Sequence, residues 1–273
     1  MNIVLCADVK FTTQVTTLIK SICYHNRHVH FYLLNKDYPT EWFEVLNRKL
    51  SHFGSEVFDA KVLSDIFANF STLSHISEAS YYRYLVGQLP LERVLYLDCD
   101  IIVAGCLRTL YHRDFEENTA FAVFDTFLNT VPHSYKEFPD MKPYFNSGVM
   151  LLNLEKWRAD NIEAQLIELT QKAQKVYYGD QDILNIILKG KWQPAEKIYN
   201  YQVAARLAFM HHNMQEHIAP AEDFQGKSPK IIHYTTKYKP WLLPVCEIPL
   251  REQYWFYYQL DWRDIVDKWT EQQ

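Results

Sequence analysis

Glycine is scarce, with seven in 273 residues, and no Gly/Ser-rich stretch, repeat or low-complexity run interrupts the chain. That excludes a string of linked modules and points to one compact unit. The chain also lacks G-x-x-x-x-G-K-[ST], G-x-S-x-G and H-E-x-x-H, so a phosphate-cradling P-loop, a serine nucleophile elbow and a two-histidine zinc helix are all excluded. Its five cysteines (Cys6, Cys23, Cys99, Cys106 and Cys246) are odd in number and form no C-x-x-C pair. A zinc site or a disulfide framework is therefore not expected, and reduced thiols in a cytosolic compartment are. The opening MNIVLCADVK is too short an apolar run for a signal peptide. No segment approaches the ~18 apolar residues of a membrane span. Positive charge is not in excess: the formal net charge is −5. A nucleic-acid partner would require a cationic surface, whereas a divalent cation and a small anion remain compatible.

Aromatic residues are abundant at 15%, which suits either a bulky core or a surface that stacks bases and sugars. Ile3–Ala7 reads as a buried strand. After it Val15, Leu18, Ile19, Ile22 and Cys23 share one helical face. His28–Asn35 reads as a strand and Thr40–His52 as a helix. This alternation is that of a parallel sheet covered by helices, where ligands bind beyond the carboxyl ends of strands. Asp8 stands at such an end. Further strands are expected at Val94–Leu97, Ile101–Val103, Ala120–Phe124, Val149–Leu152 (after a turn at Asn146-Ser147-Gly148) and Lys230–Tyr234. Asn153 caps a helix from Leu154 that continues through Ile162–Ala173, and Asp180 caps another over Ile183–Lys189. Near the end Leu250, Tyr254, Tyr257, Tyr258, Trp262, Ile265 and Trp269 recur at roughly helical spacing. Residues 247–273 carry a balance of −3, which disfavours anionic lipid and favours a helix docked on the domain or on a partner.

Asp98-Cys99-Asp100 follows VLYL and precedes IIV. On an extended strand its two carboxylates face one way, with Cα atoms about 6.6 Å apart, and can share a hard cation such as Mn²⁺ or Mg²⁺; the alternative is an idle, solvated pair. With 16 Asp in the chain, roughly one D-x-D arises by chance. The weight therefore rests on the apolar context, where unpaired carboxylates are costly. A second D-x-D, Asp180-Gln181-Asp182, is either a helix start stabilised by the dipole or a reader of sugar hydroxyls. In IIHYTTKYKPW, His233 is a third cation ligand or a structural group, and Lys237 and Lys239 could neutralise phosphate. HISEASYYRYL is a binding wall bearing His75 and Arg83, or a helix with a Tyr/Leu core face and a solvated Arg83; the residues by themselves favour the latter.

Taken in order, IVLCAD, HISEASYYR, RVLYLDCDIIV, YFNSGVMLLNLEKWR, GDQDILN and HYTTKYKPW resemble the family 8 glycosyltransferases. The similarity is nearest to the bacterial galactosyl- and glucosyltransferases of surface-polysaccharide synthesis, and runs from residue 3 to 241. The resemblance implies an α/β GT-A fold: a single domain over 1–248, with a Rossmann-like nucleotide-binding half to about 103, an acceptor half to 248, and a C-terminal aromatic helix over 249–273. It implies transfer of glucose or galactose from a UDP-hexose to a hydroxyl of a glycan (a lipopolysaccharide core, another surface glycan or a glycoprotein), with retention and an α-linkage. By the same resemblance Asp98, Asp100 and His233 hold Mn²⁺, or Mg²⁺. Ala7, Asp8, Lys10, Phe11 and Cys99 line the nucleotide site. Arg83, Asn146, Asp180 and Gln181 contact the donor sugar, with Gln181 and Asp180 nearest the chemistry. Lys239 reaches the diphosphate, and His75 lies beside the site. A cytoplasmic location follows, with membrane contact at most peripheral. The chain departs from the family at Lys10 (often Asn), Phe11 (often Tyr) and Thr236, where the family's His-Tyr-x-Gly-x-x-Lys-Pro-Trp element has Gly. A metal-dependent nucleotidyltransferase and a non-catalytic sugar-nucleotide binder are the alternatives.

Overall fold

The computed structural model describes residues 1–68, 70, 77–130, 141–173, 177–203, 227–237, 239–242 and 248–271. It begins with β1 (Asn2–Cys6), α1 (Thr12–His25), β2 (His30–Asn35), α2 (Thr40–Leu50) and β3 (Glu56–Lys61). Val15, Leu18, Ile19, Ile22 and Cys23 of α1 are all buried, as their spacing requires. β3 escapes sequence pattern because only one of its six residues, Val57, is buried. At a sheet edge the apolar alternation that marks a strand is weak.

A tight 3₁₀ stretch, Glu78–Gln88, precedes β4 (Arg93–Leu97), β5 (Ile101–Val103), α3 (Arg108–Tyr111), β6 (Ala120–Phe124) and α4 (Thr126–Thr130). Then come β7 (Phe145–Asn153), α5 (Leu154–Ala159), α6 (Ile162–Lys172), α7 (Asp180–Ile187), β8 (Trp192–Pro194), β9 (Tyr201–Gln202), β10 (Ile231–His233), α8 (Arg251–Gln259) and α9 (Trp262–Thr270). Among the described residues the main sheet runs β3-β2-β1-β4-β7-β6-β8, and a small sheet runs β5-β10-β9. Strands β3, β2, β1 and β4 are parallel, and β7 is antiparallel to β4. The architecture is mixed α/β of the GT-A type.

β1 shows how the sheet acquires two cores. Ile3 and Leu5 join the cluster containing α1 and α2, while Val4 and Cys6 join the one containing α5, α6 and α7. Alternate side chains leave opposite faces, so a strand covered on both faces is apolar throughout.

Several boundaries differ from the sequence reading. β7 is one strand from Phe145, so Asn146-Ser147-Gly148 lies within it and not in a turn; a register shift opposite, between Ala122 and Val123, accommodates the polar residues. α5 and α6 are separate because Asn161 takes a left-handed φ of 51°. α7 begins at Asp180 itself, after Gly179 at φ 57° and ψ −128°, a conformation open essentially to glycine alone. The tail is two helices, because Asp261 caps the second with Asp264 in a capping box. Both helices lie on α1. The Lys20 Nζ donates to the Tyr258 and Leu260 carbonyls, the Trp269 indole N–H donates to Cys23 O, and Ile265 is fully buried.

Candidate functional site

β4 ends at Leu97, where Asp98 N donates to Gly148 O at 2.8 Å. The chain then leaves the main sheet, so Asp98 and Asp100 flank a turn between two sheets and do not ride one strand as expected. The turn still brings them together. Asp98, Asp100 and His233 each offer one ligand atom, all within 4.8 Å of one another. β10 lies antiparallel to β5 and pairs His233 with Ile101, which carries the imidazole across about 130 residues of sequence.

Each carboxylate has one oxygen pinned and one turned inward. Asp98 Oδ1 accepts from Arg83 Nη2 at 2.8 Å and from Tyr96 Oη at 2.7 Å. Its Oδ2 faces His233 Nε2 at 3.7 Å. Asp100 Oδ2 accepts from Lys239 Nζ at 2.5 Å. Its Oδ1 is buried with no hydrogen-bond partner and lies 3.2 Å from His233 Nε2. Burial would push the Asp100 carboxyl up, but Lys239 and His233 override it and hold it well below the usual carboxylate range. A buried oxygen without a partner is costly. Two inward oxygens beside an imidazole nitrogen form a donor set suited to a hard or borderline divalent cation, so these three residues could hold one.

Arg83 is the main correction to the residue-by-residue reading. It is 5% exposed, not solvated. Nη1 donates to Ser147 O and Oγ, Nε donates to Ser80 O, and the guanidinium stacks 4.6 Å from the Tyr96 ring centre. Asp180 Oδ2 lies 3.1 Å from its Nε. Three carboxylates (Asp98, Asp100 and Asp180) thus share two permanent cations, which leaves the cluster short of positive charge. Burial, opposed by Arg83 and reinforced by Asp98, pushes the Asp180 carboxyl up to about 6.

The second acidic pair divides its work. Asp182, fully buried, accepts from Tyr177 N and Tyr178 N at 2.9 Å and from Tyr144 Oη at 2.6 Å. It is the residue that secures the helix start, a role expected of Asp180. Gln181 Oε1 accepts from Asn146 Nδ2 at 3.0 Å and Ser147 N at 3.1 Å, and its Nε2 lies 3.4 Å from Asp125 Oδ2.

Ala7 is buried at the end of β1, and Asp8 Oδ1 accepts from Lys10 N. Lys10 is exposed and Phe11 half-buried. Cys99 Sγ lies 3.4 Å from Cys6 O, tying the end of β4 to that of β1. Lys239 reaches Asp100 and Tyr234 O. His75 lies outside the described residues. Asp125, Tyr144, Ser147 and Asn200 belong to the same network and were not singled out from sequence. Each is a polar residue in an irregular or apolar context, with no neighbour at a telling spacing. Thr236 takes φ 68°, the left-handed conformation that glycine would hold without strain.

An acidic pair and an imidazole thus gather beyond the carboxyl ends of β1 and β4 in a parallel-rich sheet, where such sheets bind ligands. The glycosyl transferase family 8 model matches residues 2–243, and the chain belongs to that family. It is 37% identical over 267 residues to glycosyltransferase GlyF of Streptococcus pneumoniae serotype 4, covering 97% of this chain and 63% of that protein. The apo-form crystal structure of GlyE from S. pneumoniae TIGR4 superposes with a TM-score of 0.83 at 32% identity, covering 99% of this chain and 63% of that one. The galactosyltransferase LgtC, solved in complex with donor and acceptor sugar analogs, superposes with a TM-score of 0.81 at 27% identity over 97% of this chain and all of the other. The chain therefore spans under two thirds of the length of its pneumococcal relatives.

Proposed function

We propose that this protein transfers glucose or galactose from a UDP-hexose to a hydroxyl of a glycan acceptor, retaining the α-configuration, with Mn²⁺ or Mg²⁺ held by Asp98, Asp100 and His233. The observation that carries the reading is the convergence of those three ligand atoms, with one carboxylate oxygen of each Asp pinned and the other turned inward. A divalent cation bound there supplies charge neutralisation for a diphosphate leaving group. Ala7, Asp8, Lys10, Phe11 and Cys99 border the nucleotide half, residues 1 to about 103, and the acceptor binds in the half from 104 to 248.

The chain's own groups do the rest. Lys239 transfers its charge from Asp100 toward the diphosphate, favouring departure of UDP. Arg83 orients Asp98 and Asp180, and Asp180 with Asn146 reads the hydroxyls of the donor sugar. The bond from the anomeric carbon to the phosphate oxygen breaks, and the acceptor oxygen bonds to that carbon on the same face. The acceptor proton passes to the departing phosphate. Gln181 positions the sugar and does not attack it: its amide oxygen already accepts two hydrogen bonds. The acceptor is a surface glycan or glycoprotein, in keeping with the sugar acceptor analog bound to LgtC. Among the described residues no helix is long and apolar enough to cross a membrane, and the proposed location is cytoplasmic, with peripheral membrane contact at most.

The test is a donor screen with Mn²⁺ that follows UDP release from each UDP-sugar. Turnover is expected with UDP-glucose or UDP-galactose and lost in Asp98→Ala; Gln181→Ala should slow transfer while leaving UDP binding nearly intact. Tight UDP binding with no turnover for any donor would refute the transferase reading, and pyrophosphate release from an NTP would replace it with nucleotidyl transfer.

A further inference from the structure

Between the candidate cation site and Gln181 runs an unbroken file of amides. His233 Nδ1 lies 3.0 Å from Asn200 Oδ1, Asn200 Nδ2 lies 2.9 Å from Asn146 Oδ1, and Asn146 Nδ2 lies 3.0 Å from Gln181 Oε1. His233, Asn200 and Asn146 are 2%, 2% and 6% exposed, so water does not substitute for these partners. The direction of an amide is ordinarily ambiguous. Here two backbone groups settle it, because a peptide N–H can only donate. Gly148 N points at Asn146 Oδ1 at 3.2 Å, and Ser147 N points at Gln181 Oε1 at 3.1 Å. With Asn146 Oδ1 fixed as the acceptor, Asn200 must offer it Nδ2. Asn200 then turns Oδ1 to His233, and the ring must donate from Nδ1. The remaining lone pair, on Nε2, faces Asp98 Oδ2 and Asp100 Oδ1. The groups converging on that point repel unless a proton on Nε2 or a metal cation lies among them.

We infer that Asn200 is a positioning residue: through a polarity set by the backbone of β7, it holds His233 as the Nδ1–H tautomer and links the cation site to the amide beside the donor sugar. The inference rests on the proposed cation site and goes beyond it by assigning a residue remote from both acidic pairs. The ligand's tautomer is fixed by the hydrogen bond on the ring's other nitrogen, and partners of this kind alter metal affinity by about 10–100-fold.

Mn²⁺ binding in the presence of UDP is titrated by electron paramagnetic resonance for wild type, Asn200→Ala and Asn200→Asp, with thermal unfolding recorded for each. The ¹⁵N signals of the His233 ring are read in the diamagnetic Mg²⁺·UDP complex. Asn200→Ala is expected to weaken Mn²⁺ by at least about tenfold. Asn200→Asp still accepts the Nδ1 proton but has nothing to give Asn146, so it should restore Mn²⁺ affinity to within about threefold while transfer remains slowed. The wild-type ring should be protonated at Nδ1. If wild type binds Mn²⁺ and Asn200→Ala binds it equally well, or if the wild-type ring carries its proton on Nε2, this inference is overturned and the transferase reading stands. If wild type binds no Mn²⁺ with UDP, both fall. Should Asn200→Ala fail to fold, the ring tautomer and the split between affinity and rate in Asn200→Asp decide the matter.

Discussion

The two D-x-D segments of this chain carry the same pattern to different ends. In Asp98-Cys99-Asp100 the two carboxylates each spend one oxygen on a cationic side chain and turn the other toward His233. In Asp180-Gln181-Asp182 the first acid faces Arg83, while the last is consumed by two backbone N–H groups and a tyrosine hydroxyl. The difference comes from the backbone around them. The first segment spans a turn between two sheets, where side chains from β10 and residue 239 can approach. The second opens a helix, and the N–H groups of Tyr177 and Tyr178, just ahead of that helix, claim one carboxylate. A spacing of two is a weak predictor of function until its surroundings are known.

The largest expected effect comes from filling the space shared by the first segment. A Cβ on Gly148 would lie 2.2 Å from His233 Cε1 and 2.7 Å from Asp98 Oδ2. Gly148→Ala should displace the ring and reduce transfer by more than about 100-fold, the scale of a misplaced catalytic geometry. The measurement is kcat/KM together with Mn²⁺ binding. Next, Asp182→Ala should separate the two segments, costing about 2–4 kcal/mol of stability by stranding its donors but less than about tenfold in kcat. Urea unfolding and steady-state rates check this. An equal loss in both would mean that the second segment is as catalytic as the first.

A subtler effect concerns pH. The buried Asp180 carboxyl titrates near 6, whereas an unfolded Asp titrates near ~3.9. Between those values the folded state holds more protons, so this group's contribution to stability falls as pH rises from about 4 through about 6. Thermal unfolding of Asp180→Asn against wild type should show that dependence removed, and donor KM should rise below about pH 6 in wild type alone. The smallest effect is Thr236→Gly. Relieving a left-handed φ of 68° should add about 1 kcal/mol of stability and leave transfer nearly unchanged, as a thermal melt and a rate would report.

Much of the fold was legible because its helices carry a clear apolar period and its buried strands an unbroken apolar run. The α1 face and the Ala120–Phe124 strand are examples. β3, half-exposed at an edge, was not legible, nor was the start of β7, whose polar Asn146 and Ser147 resemble a turn but are buried inside the sheet. The grouping of Asp98, Asp100 and His233 follows the residues expected from sequence, though on another geometry, a turn in place of an extended strand. Arg83 could not be placed from residue type, since a guanidinium is buried only where several acceptors gather around it.

Local sequence by itself determined the alternation of strands and helices, the acidic pair after an apolar strand and the cap at Asn153, because these depend on neighbours a few residues apart. Only the tertiary structure decided which oxygen of each carboxylate is pinned, which acid serves the helix, and that Asn200 stands between His233 and Asn146. Each of those choices involves a partner well outside the local segment, 15 residues away for Asp98 with Arg83, 33 for Asn200 with His233, 38 for Asp182 with Tyr144 and 139 for Asp100 with Lys239, and no local pattern records the direction in which a distant hydrogen bond will point.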